Sequence, residues 1–227
     1  MSNLTELQKL QRYFYGFVIL YMITGAAAFV MGFFWLQQTG APRDTVISRE
    51  IEKAGTYLGA VVVATSLVGI LGGTSPVRRK FFLVSFVWLI VLVMLAELGL
   101  GGMIWFKTLR MRSTFALQWV TWADSLKIVF QDMTTLSGYG QCCGYYDMKT
   151  MVVSGLCTAT STYTGCEEKV SVFADGYLRK LYTSLFGFTV VNLFVFVSTV
   201  IVIQARNDEE RYIRIGRKEG RMYKNSI

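Results

Sequence analysis

The chain has 227 residues, of which 53% are apolar and only 17% charged, with two prolines and no histidine. That balance points to a bilayer and excludes a soluble domain of ordinary composition. The net charge of +8 does not mark a nucleic-acid binder, because no basic domain with interleaved aromatics could lie along a phosphate backbone; the charge reports topology instead.

Residues 1–12 form a short polar N-terminus that ends in Lys9 and Arg12. A bilayer core needs about 20 mostly apolar residues per helical span, and residues 13–36 are the first stretch to supply them. That run exceeds the apolar region of a signal peptide and no small-residue cleavage site follows it, so it reads as a retained span. Gly25, Ala28 and Gly32 lie on it at i, i+3 and i+7. A short, charge-balanced loop follows at 37–56, with a turn expected at Gly40-Ala41-Pro42. In the second span, 57–74, Gly59, Ser66 and Gly73 repeat every seven residues, a spacing that suits a left-handed crossing. Helices in lipid gain nothing from hydrophobic exclusion between themselves and need small side chains to approach closely, so the first two spans are expected to pack tightly.

After a 75–80 connection carrying Arg78, Arg79 and Lys80, the third span occupies 81–106 and contains Glu97. Burying a carboxylate there costs about 2.5–3.5 kcal/mol on insertion scales, so it must be compensated. The preferred reading is a structural polar contact, with Asn192 of the fourth span, or Tyr21 and Thr24 of the first, as its partners. The rival is the ion-coupling group of a transporter or channel subunit. A long loop, 107–180, leads to the fourth span at 181–203 and a tail at 204–227. In the loop, Phe115, Leu117, Trp119, Trp122, Leu126, Val129 and Phe130 recur at three- and four-residue steps, which predicts an amphipathic helix continuing from span three. A second helix is expected from Val170 to Leu181, leading into span four.

Twelve basic residues fall in the short segments 1–12, 75–80 and 204–227, against eleven in more than twice that length of loop. The positive-inside rule therefore predicts both termini in the cytoplasm and both loops outside. Cys142, Cys143, Cys157 and Cys166 all fall in the segment assigned to the oxidising side. The sequon Asn3-Leu4-Thr5 falls inside and neither outer loop contains Asn, so N-glycosylation is not expected. Adjacent cysteines do not readily join each other, which leaves two patterns tying Cys142 and Cys143 to Cys157 and Cys166. Structural disulfides fit this setting; a metal site does not, with no histidine in the chain.

Cys142-Cys143-Gly144 between the third and fourth spans, with a later Gly165-Cys166, resembles the tetraspanin signature. The resemblance extends to the topology, the short first and long second loops, the small-residue heptads and the acidic residue of span three. It implies an all-α membrane protein with four transmembrane helices and a small, mostly helical, disulfide-bonded extracellular loop. It implies the pairs Cys142 with Cys166 and Cys143 with Cys157, a tight turn at Gly144, and a stalk under a small head at 145–165. It also implies a scaffold rather than an enzyme, needing no cofactor, and associating laterally with other integral membrane proteins and membrane lipids. The plasma membrane is the expected place, with endosomal or vacuolar membranes as alternatives. The small head is similar to that of filamentous-fungal tetraspanins associated with host penetration. The chain departs from the family in having no cytosolic cysteine to palmitoylate. Spans one and four lack the usual Asn and Glu, Asn192 being a partial substitute, which counts against a sterol-holding cavity.

The tail carries Arg211, Arg214, Arg217, Lys218 and Arg221 at three- and four-residue steps. Such a face attracts anionic lipid by about 1 kcal/mol per basic residue, and serves equally as a stop-transfer signal. Met148, Met151, Val152 and Val153 give the head an apolar segment, either a partner surface or its core. A claudin-type contact protein is disfavoured, since the first outer loop has no cysteine.

Overall fold

The computed structural model describes residues 2–38, 43–74, 80–132, 140–146, 153, 157 and 163–224. The turn expected at Gly40-Ala41-Pro42, the Arg78-Arg79 pair, and Met148, Met151 and Val152 lie outside these residues. Seven helices run in order among the described residues: α1 (Ser2–Gln37), α2 (Arg43–Val46), α3 (Arg49–Gly73), α4 (Lys80–Leu109), α5 (Met111–Thr121), α6 (Asp124–Asp132) and α7 (Glu167–Lys224). No strand occurs among the described residues. Four of the helices, α1, α3, α4 and α7, are long and apolar enough to cross a membrane. The chain divides into two compact units, residues 1–35, 53–98 and 186–227 in the first and 36–52 with 99–185 in the second.

The first unit is built on one repeated spacing. Buried positions fall at 14, 18, 21 and 25 on α1, at 59, 62, 66, 69 and 73 on α3, at 83, 86, 90, 93 and 97 on α4, and at 192, 195, 199, 202 and 206 on α7. Alternating steps of three and four residues make a straight stripe along a helix that crosses its neighbours at a shallow left-handed angle. Phe14 and Tyr21 meet Phe86 edge-on, with centroids 6.3 and 6.5 Å apart. The outward faces are apolar too: Trp88, Leu92 and Leu95 are each more than half exposed. A helix that is apolar all round belongs in lipid or in a large core.

The glycines show how closely α1 and α3 approach. A Cβ on Gly59 would sit 2.6 Å from the Phe29 backbone nitrogen and 3.0 Å from the Gly25 carbonyl oxygen. At Gly25 and Gly32 a Cβ would collide with Val62 and Thr56 of α3, and at Gly73 with Tyr15 of α1. Ala28 is half-buried on the same helix, and Ser66 is fully buried, its hydroxyl donating to the Val63 carbonyl at 2.6 Å.

The second unit has a mainly aromatic core. Phe115, Trp119, Phe130, Tyr145, Val170, Ala174 and Leu178 are buried together with Cys142 and Cys166. The helix expected across Phe115–Phe130 as a continuation of span three is instead separated from α4 and broken once within. Arg110 leaves helical geometry at φ −110° and ψ 14°, and Trp122 is extended at ψ 145°. Leu117, which the sequence reading had placed inward, lies two residues from each of the buried Phe115 and Trp119, hence on the opposite face of α5, and is 78% exposed. Trp122 turns its ring onto Phe130, stacked at 5.6 Å. Two other elements run longer than their apolar stretches: α3 begins at Arg49, before Tyr57, and α7 continues without a break from Glu167 to Lys224.

The close approach at Gly59 is directly testable. Gly59→Ala should cost about 1–3 kcal/mol of stability through overpacking against backbone. This would lower the apparent Tm of the detergent-solubilised protein by about 2–4 °C per kcal/mol. Gly55→Ala, where a Cβ meets nothing within 4 Å, should leave it unchanged or slightly raised.

Candidate functional sites in the helices and the cysteine loop

Glu97 is 3% exposed on the α4 stripe. Its Oε2 accepts a hydrogen bond from Asn192 Nδ2 at 2.6 Å and another from Thr189 Oγ1 at 3.2 Å. Both donors sit on α7 three residues apart, hence on one face. Of the partners considered from sequence, Asn192 meets the carboxylate. Thr24 instead bonds the Tyr21 carbonyl at 2.8 Å, and the buried Tyr21 hydroxyl has no hydrogen-bond partner among the described residues. Thr189 was legible only as the i−3 neighbour of Asn192.

Arg206 has a role that the sequence concealed among the basic residues of the tail. It is 8% exposed and donates from Nη1 to the Gly72 carbonyl at 3.1 Å and from Nη2 to the Gly73 carbonyl at 2.9 Å. Gln11 of α1 donates to the same Gly73 carbonyl at 3.1 Å. The last carbonyls of a helix lack intrahelical partners and carry its negative dipole end, so a guanidinium placed there satisfies both needs. Exposed Arg214 pairs with Glu210 at 3.7 Å within the tail helix.

In the second unit, disulfides join Cys142 to Cys166 and Cys143 to Cys157, with Cα atoms 5.1 and 5.7 Å apart. No free cysteine remains. Gly144 adopts φ 69°, the left-handed region that glycine enters without a Cβ penalty, so the chain reverses directly after the two cysteines. Backbone bonds then tie the two arms together: Cys143 N–H to Thr164 O at 3.1 Å, Cys166 N–H to Gly144 O at 3.0 Å, and Glu167 N–H to Tyr145 O at 3.0 Å. A Cβ on Gly165 would collide with the Tyr145 and Tyr146 carbonyls.

Polar side chains lock this loop to its surroundings. The buried Lys169 ammonium donates to the Gly140 carbonyl at 3.2 Å. Gln131, 1% exposed, accepts the Cys142 N–H on its backbone oxygen at 3.3 Å and the Val153 N–H on its side chain at 3.4 Å. The Tyr145 hydroxyl donates to the Arg112 carbonyl at 3.0 Å. Burial first, then the nearby Glu167, pushes that phenol well above its usual range and keeps it a donor. In the short loop, Arg43 and Glu52, both buried, pair at 3.3 Å. A groove of about 440 Å³ lies between Val46, Lys107, Met111, Phe115, Trp122 and their neighbours. Among the described residues, no cluster of three His, Cys, Asp or Glu could hold a metal ion.

Four membrane-crossing helices and a mostly helical loop held by two disulfides define a multi-pass integral membrane protein. The model of the tetraspanin family matches residues 10–205, and the chain belongs to that family. No curated protein matches the chain. Membership points to a membrane-organising role and to contacts with lipid and membrane proteins.

Substitutions at Glu97, Asn192 and Arg206 test the polar contacts. A double-mutant cycle between Glu97→Leu and Asn192→Leu should return a coupling of about 0.6–1.7 kcal/mol, measured by unfolding in mixed micelles. Glu97→Gln, whose amide oxygen can still accept from Asn192, should retain most of the stability. Arg206→Ala should cost about 0.3–2 kcal/mol by the same assay, with Arg206→Lys recovering part of the loss.

Proposed function

We propose that this protein organises other integral membrane proteins by lateral association, acting on their assembly or trafficking and not by catalysis. The observation that carries this reading is the family match over residues 10–205, and the outward apolar faces of the helices agree with it. Trp88, Leu92 and Leu95 on α4 and Val61, Leu67 and Leu71 on α3 are available to lipid or to neighbouring helices. The helix ends proposed as membrane boundaries are 13–36, 57–74, 81–106 and 181–203. Both termini lie in the cytoplasm and the cysteine loop lies outside, a reading supported by basic-residue bias and by the oxidised cysteines. The plasma membrane is the proposed location. The basic tail adds an attraction to anionic lipid, and in a filamentous fungus the small head would serve host penetration.

The disulfides, Gly144 and Gly165 shape the surface that partners meet, while the Glu97–Asn192 contact and the glycine seam hold the membrane helices to one another. The competing role, ion coupling through Glu97, is disfavoured by a carboxylate oxygen engaged by two neutral donors on α7.

Crosslinking in intact cells followed by mild-detergent purification should recover specific membrane proteins. Exchanging residues 145–165 for an unrelated head should reduce that recovery severalfold without lowering surface level. An engineered sequon within 107–180 should be glycosylated while Asn3 is not. Ion or solute flux in proteoliposomes that disappears with Glu97→Gln would replace this reading with the transporter one.

A further inference from the structure

The two disulfides leave from neighbouring residues but end in unlike surroundings. Cys142 and Cys166 are 3% and 0% exposed, inside the aromatic core of the second unit. The arms around them are joined by backbone bonds that do not depend on sulfur, from Cys166 N–H to Gly144 O and from Glu167 N–H to Tyr145 O. Cys143 is also buried, at 1%, but its partner Cys157 is only half-buried. Of the four cysteines, Cys157 is therefore the least covered against a thiol arriving from solvent.

We propose that Cys143–Cys157 is a reversible redox switch, opened by an external dithiol while Cys142–Cys166 stays closed. A thiolate of the reductant attacks the Cys157 sulfur, because Cys143 is covered, and displaces Cys143 as a thiolate that takes up a proton. The second thiol of the reductant then closes on its own sulfur and releases Cys157. Two electrons pass to the protein bridge, and the dithiol becomes a cyclic disulfide.

Opening this bond releases the cross-link between residues 14 apart, while the cross-link between residues 24 apart and the backbone bonds beside it persist. In any consequence for partner binding, the switch rests on the organiser reading above.

The test uses the full-length protein in detergent micelles, titrated with dithiothreitol under native conditions, trapped with iodoacetamide and read by peptide mass spectrometry. Cys143 and Cys157 should be alkylated at reductant levels where Cys142 and Cys166 carry less than about a tenth as much label. Equal labelling of all four, earlier labelling of Cys142 and Cys166, or no labelling short of unfolding would overturn the proposal. The paired variant Cys143→Ser with Cys157→Ser should leave Cys142 and Cys166 as protected as in the native protein; their exposure in that variant would also overturn it. None of these readouts involves a partner, so a failure here is separate from a failure of the organiser reading.

Discussion

Four helices in lipid cannot be driven together by excluding water from their apolar faces, because the surrounding chains are as apolar as the helices. Association then depends on shape and on polar contacts, and the first unit arranges both along the same line. The stripes at 14 to 25, 59 to 73, 83 to 97 and 192 to 206 hold the buried contacts of their helices. Ser66, Glu97, Asn192, Thr199 and Arg206 all stand on these stripes. The stripes thus carry polar groups among buried apolar ones such as Phe14, Phe86 and Ile90, while the outward faces are bulky and apolar as well.

Each of these five polar side chains has its own solution. Ser66 and Thr199 return their hydroxyls to carbonyls one turn back, at 2.6 Å in both cases. Glu97 is met by two donors from α7, and Arg206 caps the end of α3. An unsatisfied polar group in hydrocarbon costs several kcal/mol, so such contacts select one register among the many that apolar packing alone would allow. The faces left outward are then free to meet lipid or the helices of other proteins, the property an organiser requires.

The second unit stabilises itself by other means. Its core is limited, as in any small domain, and it combines aromatic packing with covalent closure. Trp119 lies 5.5 Å from Tyr145 and 6.5 Å from Phe130, so the segment after the cysteines is anchored by rings as well as by sulfur. The Lys169 side chain donates to the Gly140 carbonyl before Cys142, and the Gln131 side chain accepts the Val153 N–H beyond Cys143. Two buried polar side chains are thereby used to position a loop whose described residues form no helix or strand.

Membrane-crossing helices and the all-α class were legible from the chain because bilayer thickness converts directly into the length of an apolar run. The family signature was legible because Cys142-Cys143-Gly144 keeps its meaning only between the third and fourth of those runs. Other features have no such local trace. The extended backbone at Trp122 separates α5 from α6, yet no Gly or Pro marks that break in the chain. Arg206 reads as one more basic residue after an apolar stretch; that it caps Gly72 and Gly73, more than 130 positions earlier, follows from which helix ends meet. The chain by itself determined which segments enter lipid and which residue types could pair, since these depend on length and chemistry along the sequence. Tertiary structure alone decided helix phase, the partners of Glu97 and Arg206, and the unequal cover of the two disulfides, since these depend on distances between residues remote in the chain.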